Sequence, residues 1–207
     1  MPTVALEELV APDHTVVVLQ EVQNGVVGPT SALPALAESA RAAGMFEHLR
    51  TLTATARAVG VPVIHTTAET LPNGFGANNN ARLFAGARRA GAANTPNSDS
   101  VAPLAEIDPA DSDIVLPRYH GLSPMTGGQL DSLLRNSGIT TMVVTGVSLN
   151  VAIPNMVFDA VNRSYQVVVV TDAVAGVPPE YGRAVLDNTL RLVATLVTTA
   201  ELVAAWS

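Results

Sequence analysis

One stretch, Thr140 to Asn155 (TTMVVTGVSLNVAIPN), limits this chain's fold more than any other. It opens as a β-branched and apolar run without a charge, which suits a strand buried on both faces. Gly146 stops the run where the chain must turn sharply. Ser148 and Asn150 then stand where side chains can satisfy the free N–H groups of a helix running to Asn162 or Arg163. Strand, tight turn and helix N-terminus together make one wall of a site in an open α/β sheet, where ligands collect at the carboxyl ends of strands.

Further apolar runs repeat the pattern. Thr15–Leu19, Val61–Thr67, Asp113–Leu116, Gln166–Val170 and Ala194–Val197 read as strands. Helical spacing falls between them at Leu36–Ala43, Met45–Val59, Gly127–Asn136, Glu180 to about Val193, and Thr199–Trp206. Gly60 ends the second of these helices; Thr126 can cap the third and Gly138 end it. Met1–His14 reads as a coil lead-in, Glu69–Gly91 as a loop carrying Asn78-Asn79-Asn80, and 90–100 as a second irregular stretch. This alternation predicts a single domain with a parallel sheet covered by helices on both faces. With 207 residues the chain can bury a core without staples.

The composition excludes several functions. There is no cysteine, so disulfides, Cys-ligated zinc and thiol nucleophiles are ruled out; a reducing cytoplasm fits that usage. A net charge of −7 argues against nucleic acid or an anionic membrane as partner. No apolar run reaches the roughly 18 residues of a spanning helix, and the N-terminus lacks a signal-peptide pattern. Glu21, Arg118 and Asp172 each follow a predicted strand, at the edge where chemistry collects; the plain alternative for each is a solvated charge. His65 lies within a strand, where a lone histidine is more often a satisfied core residue than a ligand. With only Glu69 nearby, it makes too poor a donor set for a transition metal, so no metal or other cofactor is expected.

Three segments carry a resemblance to a known family. VVVLQEVQNGVV, IVLPRYHGLSPMTGGQLDSLLRNSGI and VVTGVSLNVAIPNMVFDAVNRSYQVVVVTDAVA are similar to the first-strand, lysine and nucleophile segments of the isochorismatase-like hydrolases, the cysteine hydrolase superfamily. The resemblance runs from Thr15 to about Trp206. It implies a three-layer α/β/α domain with a six-stranded parallel sheet ordered 3-2-1-4-5-6, a cis peptide at Val147–Ser148, and a homo-oligomer, most simply a dimer. It also implies a base, a cationic partner and a nucleophile at the positions of Glu21, Arg118 and Ala152. The family's amidases carry Asp, Lys and Cys there, so all three differ. Ala152 cannot attack a substrate. Arg118 stays protonated but can hold a carboxylate. Glu21 can still work as acid or base.

Two readings of function follow. In one, the chain is a hydrolase without a thiol, acting on a vinyl ether or amide-like small molecule with Glu21 as acid or base, Arg118 beside it and backbone N–H groups near Ala152 facing the developing charge. In the other, it is a catalytically inactive relative that binds a small ligand or serves in an assembly. Both place Glu21 within hydrogen-bonding or water-bridged distance of Arg118, with Ala152 at a third corner. Both expect Val147, Ser148, Tyr119, His65, Asn78 and Asn80 around the ligand.

Overall fold

The computed structural model describes residues 4–89, 91 and 94–207. Its sheet has six strands: β1 (Thr15–Gln20), β2 (Val63–Ala68), β3 (Ile114–Arg118), β4 (Thr141–Val147), β5 (Gln166–Ala175) and β6 (Thr195–Val197). They lie in the order β3-β2-β1-β4-β5-β6, all pairs parallel. The order reverses between β1 and β4, which pair from Thr15 opposite Thr141 to Gln20 opposite Gly146. Around the sheet run α1 (Leu6–Leu9), α2 (Asn24–Val27), α3 (Pro34–Ala42), α4 (Met45–Ala58), α5 (Arg82–Arg89), α6 (Leu130–Asn136), α7 (Ala152–Asn162), α8 (Pro179–Asn188) and α9 (Thr199–Ala205).

Strand alternation divides the apolar residues between two cores. Val17, Leu19, Val143, Val168 and Val170 point to one face, where they meet Leu49 and Leu52 of α4 and Leu202 of α9. Val16, Val18, Met142, Val144, Val167 and Val169 point to the other, against Leu130 and Leu134 of α6, Ile153, Met156 and Val157 of α7, and Val185 and Leu186 of α8. Strands buried on both faces carry no polar side to alternate with, which is why they read as unbroken apolar runs.

The structure differs from the sequence reading at element ends and in loops. The lead-in is not all coil: α1 and a short 3-10 turn at Pro12–His14 occupy residues 6–14, and residues 1–3 lie outside the described residues. The 69–91 loop holds α5, because Leu83, Phe84 and Ala87 share one side of a helical turn while Arg82, Arg88 and Arg89 surround them with charge. Of the irregular stretch expected at 90–100, residues 90, 92 and 93 lie outside the described residues. The helix expected to reach Val193 stops at Asn188, and a 3-10 turn follows at Leu190–Leu192. Neither Ser148 nor Asn150 caps α7: Val151 holds the N-cap position with no side-chain cap. Asn150 instead brackets Val177, accepting from its N–H at 2.8 Å and donating to its carbonyl. Thr126 caps nothing either; its hydroxyl donates to Asp159 at 2.9 Å, and α6 starts later. Gly60 and Gly138 do follow the ends of α4 and α6, both at positive φ.

Asp113, just before β3, is a buried junction. It accepts two hydrogen bonds from Arg57 of α4, at 2.8 and 2.6 Å, and one from the Ala110 N–H at 3.1 Å. His65 Nε2 of β2 sits 3.0 Å from Oδ2 of the same carboxylate. These bonds hold the Asp113 carboxyl below its ordinary value despite its burial, while burial lowers the His65 imidazole. Removing one partner of a buried pair leaves the other charge uncompensated. Asp113→Ala should therefore lower the unfolding free energy in urea by about 3–5 kcal/mol; a loss under about 1 kcal/mol would show that Arg57 and His65 find other partners.

Candidate active site

β1 ends at Gln20, and Glu21 follows at φ 54°, a left-handed backbone that turns its side chain out of the strand's alternation. Its N–H still donates to the Thr66 carbonyl at 2.9 Å, so the turn is anchored to β2. Two residues on, Gln23 is fully buried and closes the gap between strands: it exchanges two bonds with the Ala68 backbone, at 2.7 and 3.1 Å, and donates to the Ser100 carbonyl. Arg118, the last residue of β3, reaches across to Glu21. Its Nη2 donates to Glu21 Oε1, and its Nη1 donates to the Gly121 carbonyl. Gln20 Nε2 donates to the same Oε1 at 2.9 Å. Oε2 of Glu21 accepts no hydrogen bond among the described residues. Burial pushes the Glu21 carboxyl above its ordinary value, and the Arg118 charge and the two hydrogen bonds pull the other way without cancelling it.

Ala152 opens α7 and lines the same cavity as Glu21 and Arg118. Its N–H makes no hydrogen bond among the described residues, as expected of the first residue in a helix with no side-chain cap. The Val147–Ser148 peptide before it is cis. The cavity holds about 520 Å³, within the roughly 300–1,000 Å³ of small-molecule sites. Glu21, Arg118, Ser148 and Ala152 all line it.

The other expected site residues divide. Val147 is fully buried in the core and contributes only the backbone leading to Ser148. His65 does not face the cavity; it is buried against Asp113, where a neutral imidazole finds a carboxylate partner. Tyr119 lines a separate hollow of about 60 Å³ beside Pro124 and Leu130. Asn78 and Asn80 act behind the wall rather than on it: Asn78 Oδ1 accepts from the Gly121 N–H at 2.7 Å, Asn80 accepts from Asn78 at 3.1 Å, and Arg88 of α5 donates to the Asn78 carbonyl at 2.9 Å. Asp172 is likewise structural, accepting from the N–H and hydroxyl of Thr199 at 2.9 and 2.8 Å. Missing from the sequence reading was the apolar lining: Val26, Leu33 and Leu36, together with Leu83, Phe84 and Ala87 of α5. The spacing of those three α5 residues was the available signal. Among the described residues, no group of three or more His, Asp or Glu side chains gathers to hold a metal ion, and no helix is long and apolar enough to cross a membrane.

A doubly wound parallel sheet with a carboxylate, a cation and a helix N-terminus at its reversal point defines an α/β architecture with a ligand crevice at the carboxyl ends of its strands. The comparisons make this specific. The isochorismatase domain family matches residues 15–201, and the chain belongs to that family. A ureidoacrylate amidohydrolase from Methylobacterium radiotolerans is 31% identical over 192 residues, covering 86% of this chain and 73% of the relative. Relatives of the same name from Pantoea ananatis and Methylorubrum extorquens align over only 80 and 86 residues, 31% and 33% of their lengths. A cysteine hydrolase from Pseudomonas syringae pv. phaseolicola superposes with a TM-score of 0.79 at 22% identity, covering 100% of this chain and 98% of that one. An isochorismatase family protein from Desulfovibrio vulgaris also reaches 0.79, at 26% identity over 92% of this chain and 96% of its own.

Gly146 gives the site its closest backbone approach. A Cβ there would lie 2.3 Å from the Gln20 carbonyl oxygen, and its φ of +97° disfavours any side chain. Gly146→Ala should cost about 3 kcal/mol or more in chemical denaturation, through overpacking and backbone strain together. A variant as stable as the parent would mean that β1 and β4 separate freely at their carboxyl ends.

Proposed function

We propose that this chain is a hydrolase that uses water directly, with no covalent enzyme intermediate, on a small amide-like or vinyl ether substrate. The observation that carries the reading is the Glu21 carboxyl. It lines the cavity with one oxygen unengaged, and burial raises its proton affinity. A carboxyl tuned upward is suited to proton transfer near neutral pH. On an amide, Glu21 takes a proton from water as the water oxygen bonds to the carbonyl carbon. The Ala152 N–H meets the oxyanion, and Glu21 returns the proton to the leaving nitrogen as the C–N bond breaks. On a vinyl ether, protonated Glu21 gives its proton to the terminal alkene carbon, and water adds to the resulting oxocarbenium carbon and returns a proton to Glu21. The hemiketal then expels the alcohol as its C–O bond breaks, leaving a carbonyl. Arg118 orients Glu21 and stays charged throughout. The resemblance to amidohydrolases supports the amide branch.

A second reading is a pocket that binds without turnover. It is favoured by the contact itself: Glu21 is already held by Arg118 and Gln20 before any substrate arrives.

A turnover screen separates the two readings. Purified protein should hydrolyse a member of a panel of primary amides, N-carbamoyl amides, ureidoacrylate and vinyl ethers, and Glu21→Ala should reduce that rate by about 10²–10⁴-fold. Stabilisation by a panel member with no turnover would support the binding reading instead. Ala152→Cys alone should add little thiol-dependent amidase activity, whereas Glu21→Asp, Arg118→Lys and Ala152→Cys together should add some. Substantial thiol-dependent hydrolysis by the single variant would show that Arg118 is no obstacle to the family's thiol chemistry.

A further inference from the structure

Resting on the reading of this cavity as a substrate site, we propose that its ligand is uncharged, with an apolar aryl or alkyl body and one carbonyl-bearing polar end. Among the described residues, Glu21 and Arg118 are the only charged side chains lining the cavity, and each is the other's partner. The arginines of α5 do not line it. Arg88 is engaged with the Asn78 carbonyl and Arg89 with the Ala85 carbonyl. A carboxylate entering this space would find a cation already neutralised, and would lose its hydration with no compensating charge.

The cavity is otherwise lined largely by apolar residues, with Leu33, Pro34, Leu36, Leu83, Phe84 and Leu122. Asn150 also lines it, but its amide is already used on both sides by Val177. The groups left to receive a polar atom are Glu21 Oε2, the Ala152 N–H and the uncharged side chains of Ser148 and Asn94. These groups, none of them a free cation, suit one carbonyl group and its immediate substituents. They do not suit a substrate with charges at both ends.

Matched probes test this by calorimetry on the whole protein. 3-Phenylpropionamide and 3-phenylpropionate share ring and chain and differ in charge. The amide should bind at least tenfold more tightly than the carboxylate. Phe84→Ser should weaken amide binding severalfold while leaving the melting temperature near that of the parent, since Phe84 lies outside the buried core. Glu21→Gln leaves Arg118 without its counter-charge, so that variant should bind the carboxylate at least tenfold better than the parent does. A parent protein that binds the carboxylate as well as the amide, or binds neither, would overturn the proposal. The outcome is separable from catalysis: selective binding of the amide with no turnover of any member of the substrate panel removes the hydrolase reading and upholds the ligand class, whereas hydrolysis of a charged substrate with no preference for the amide does the reverse.

Discussion

Strands β1 and β4 lie side by side with no face turned to water, and the rest of the architecture answers to that pairing. Every residue from Thr15 to Gln20 and from Thr141 to Val147 is buried. Two such strands need helices above and below, so the chain must cross over the sheet in both directions. The reversal of strand order between them then opens a crevice at their carboxyl ends. Gly146, where a Cβ would meet the Gln20 backbone, keeps the two strands in contact up to the mouth of that crevice. Glu21 and Ala152 follow within a few residues of those ends, so the pairing that forms the core also positions the site.

Within the crevice the dominant interaction is between Glu21 and Arg118, whose side chains are 17% and 11% exposed. A carboxylate so nearly buried is costly without a partner, and the guanidinium meets that need. The arrangement leaves an asymmetric carboxyl, with Oε1 held twice and Oε2 unengaged. Asn78 extends the hold outward: it joins the Gly121 turn, which accepts from Arg118, to Arg88 on α5. The helix over the cavity and the cation inside it are thus linked through a single asparagine.

The strands were legible because buried parallel strands leave apolar runs in the sequence, whereas their order in the sheet came from the family resemblance and not from the runs. The Glu21–Arg118 contact was legible because both residues directly follow strand ends that a doubly wound sheet brings together, and the family resemblance pointed to the same two positions. The apolar side of the site was not. Leu83 and Phe84 sit among three arginines and near three asparagines, and that polar setting hid a helix of barely two turns. His65 misled in the other direction. Its place near a strand end suggested the rim, but only the fold brings Asp113 and Arg57 to it, from 48 and 8 residues away in sequence. Helix caps failed for a similar reason: Asn150 and Thr126 have side chains suited to capping, yet tertiary partners at Val177 and Asp159 took them.

The account turns on whether burial outweighs the pull of Arg118 on Glu21. A carbon-13 NMR titration of side-chain carboxyls, with Glu21 assigned by comparison with Glu21→Gln, measures this directly. The Glu21 carboxyl should titrate above 4.5, its ordinary value, and should rise further in Arg118→Gln. A midpoint at or below 4.5 would show a permanently ionised ion pair, and would contradict a role for Glu21 in moving protons.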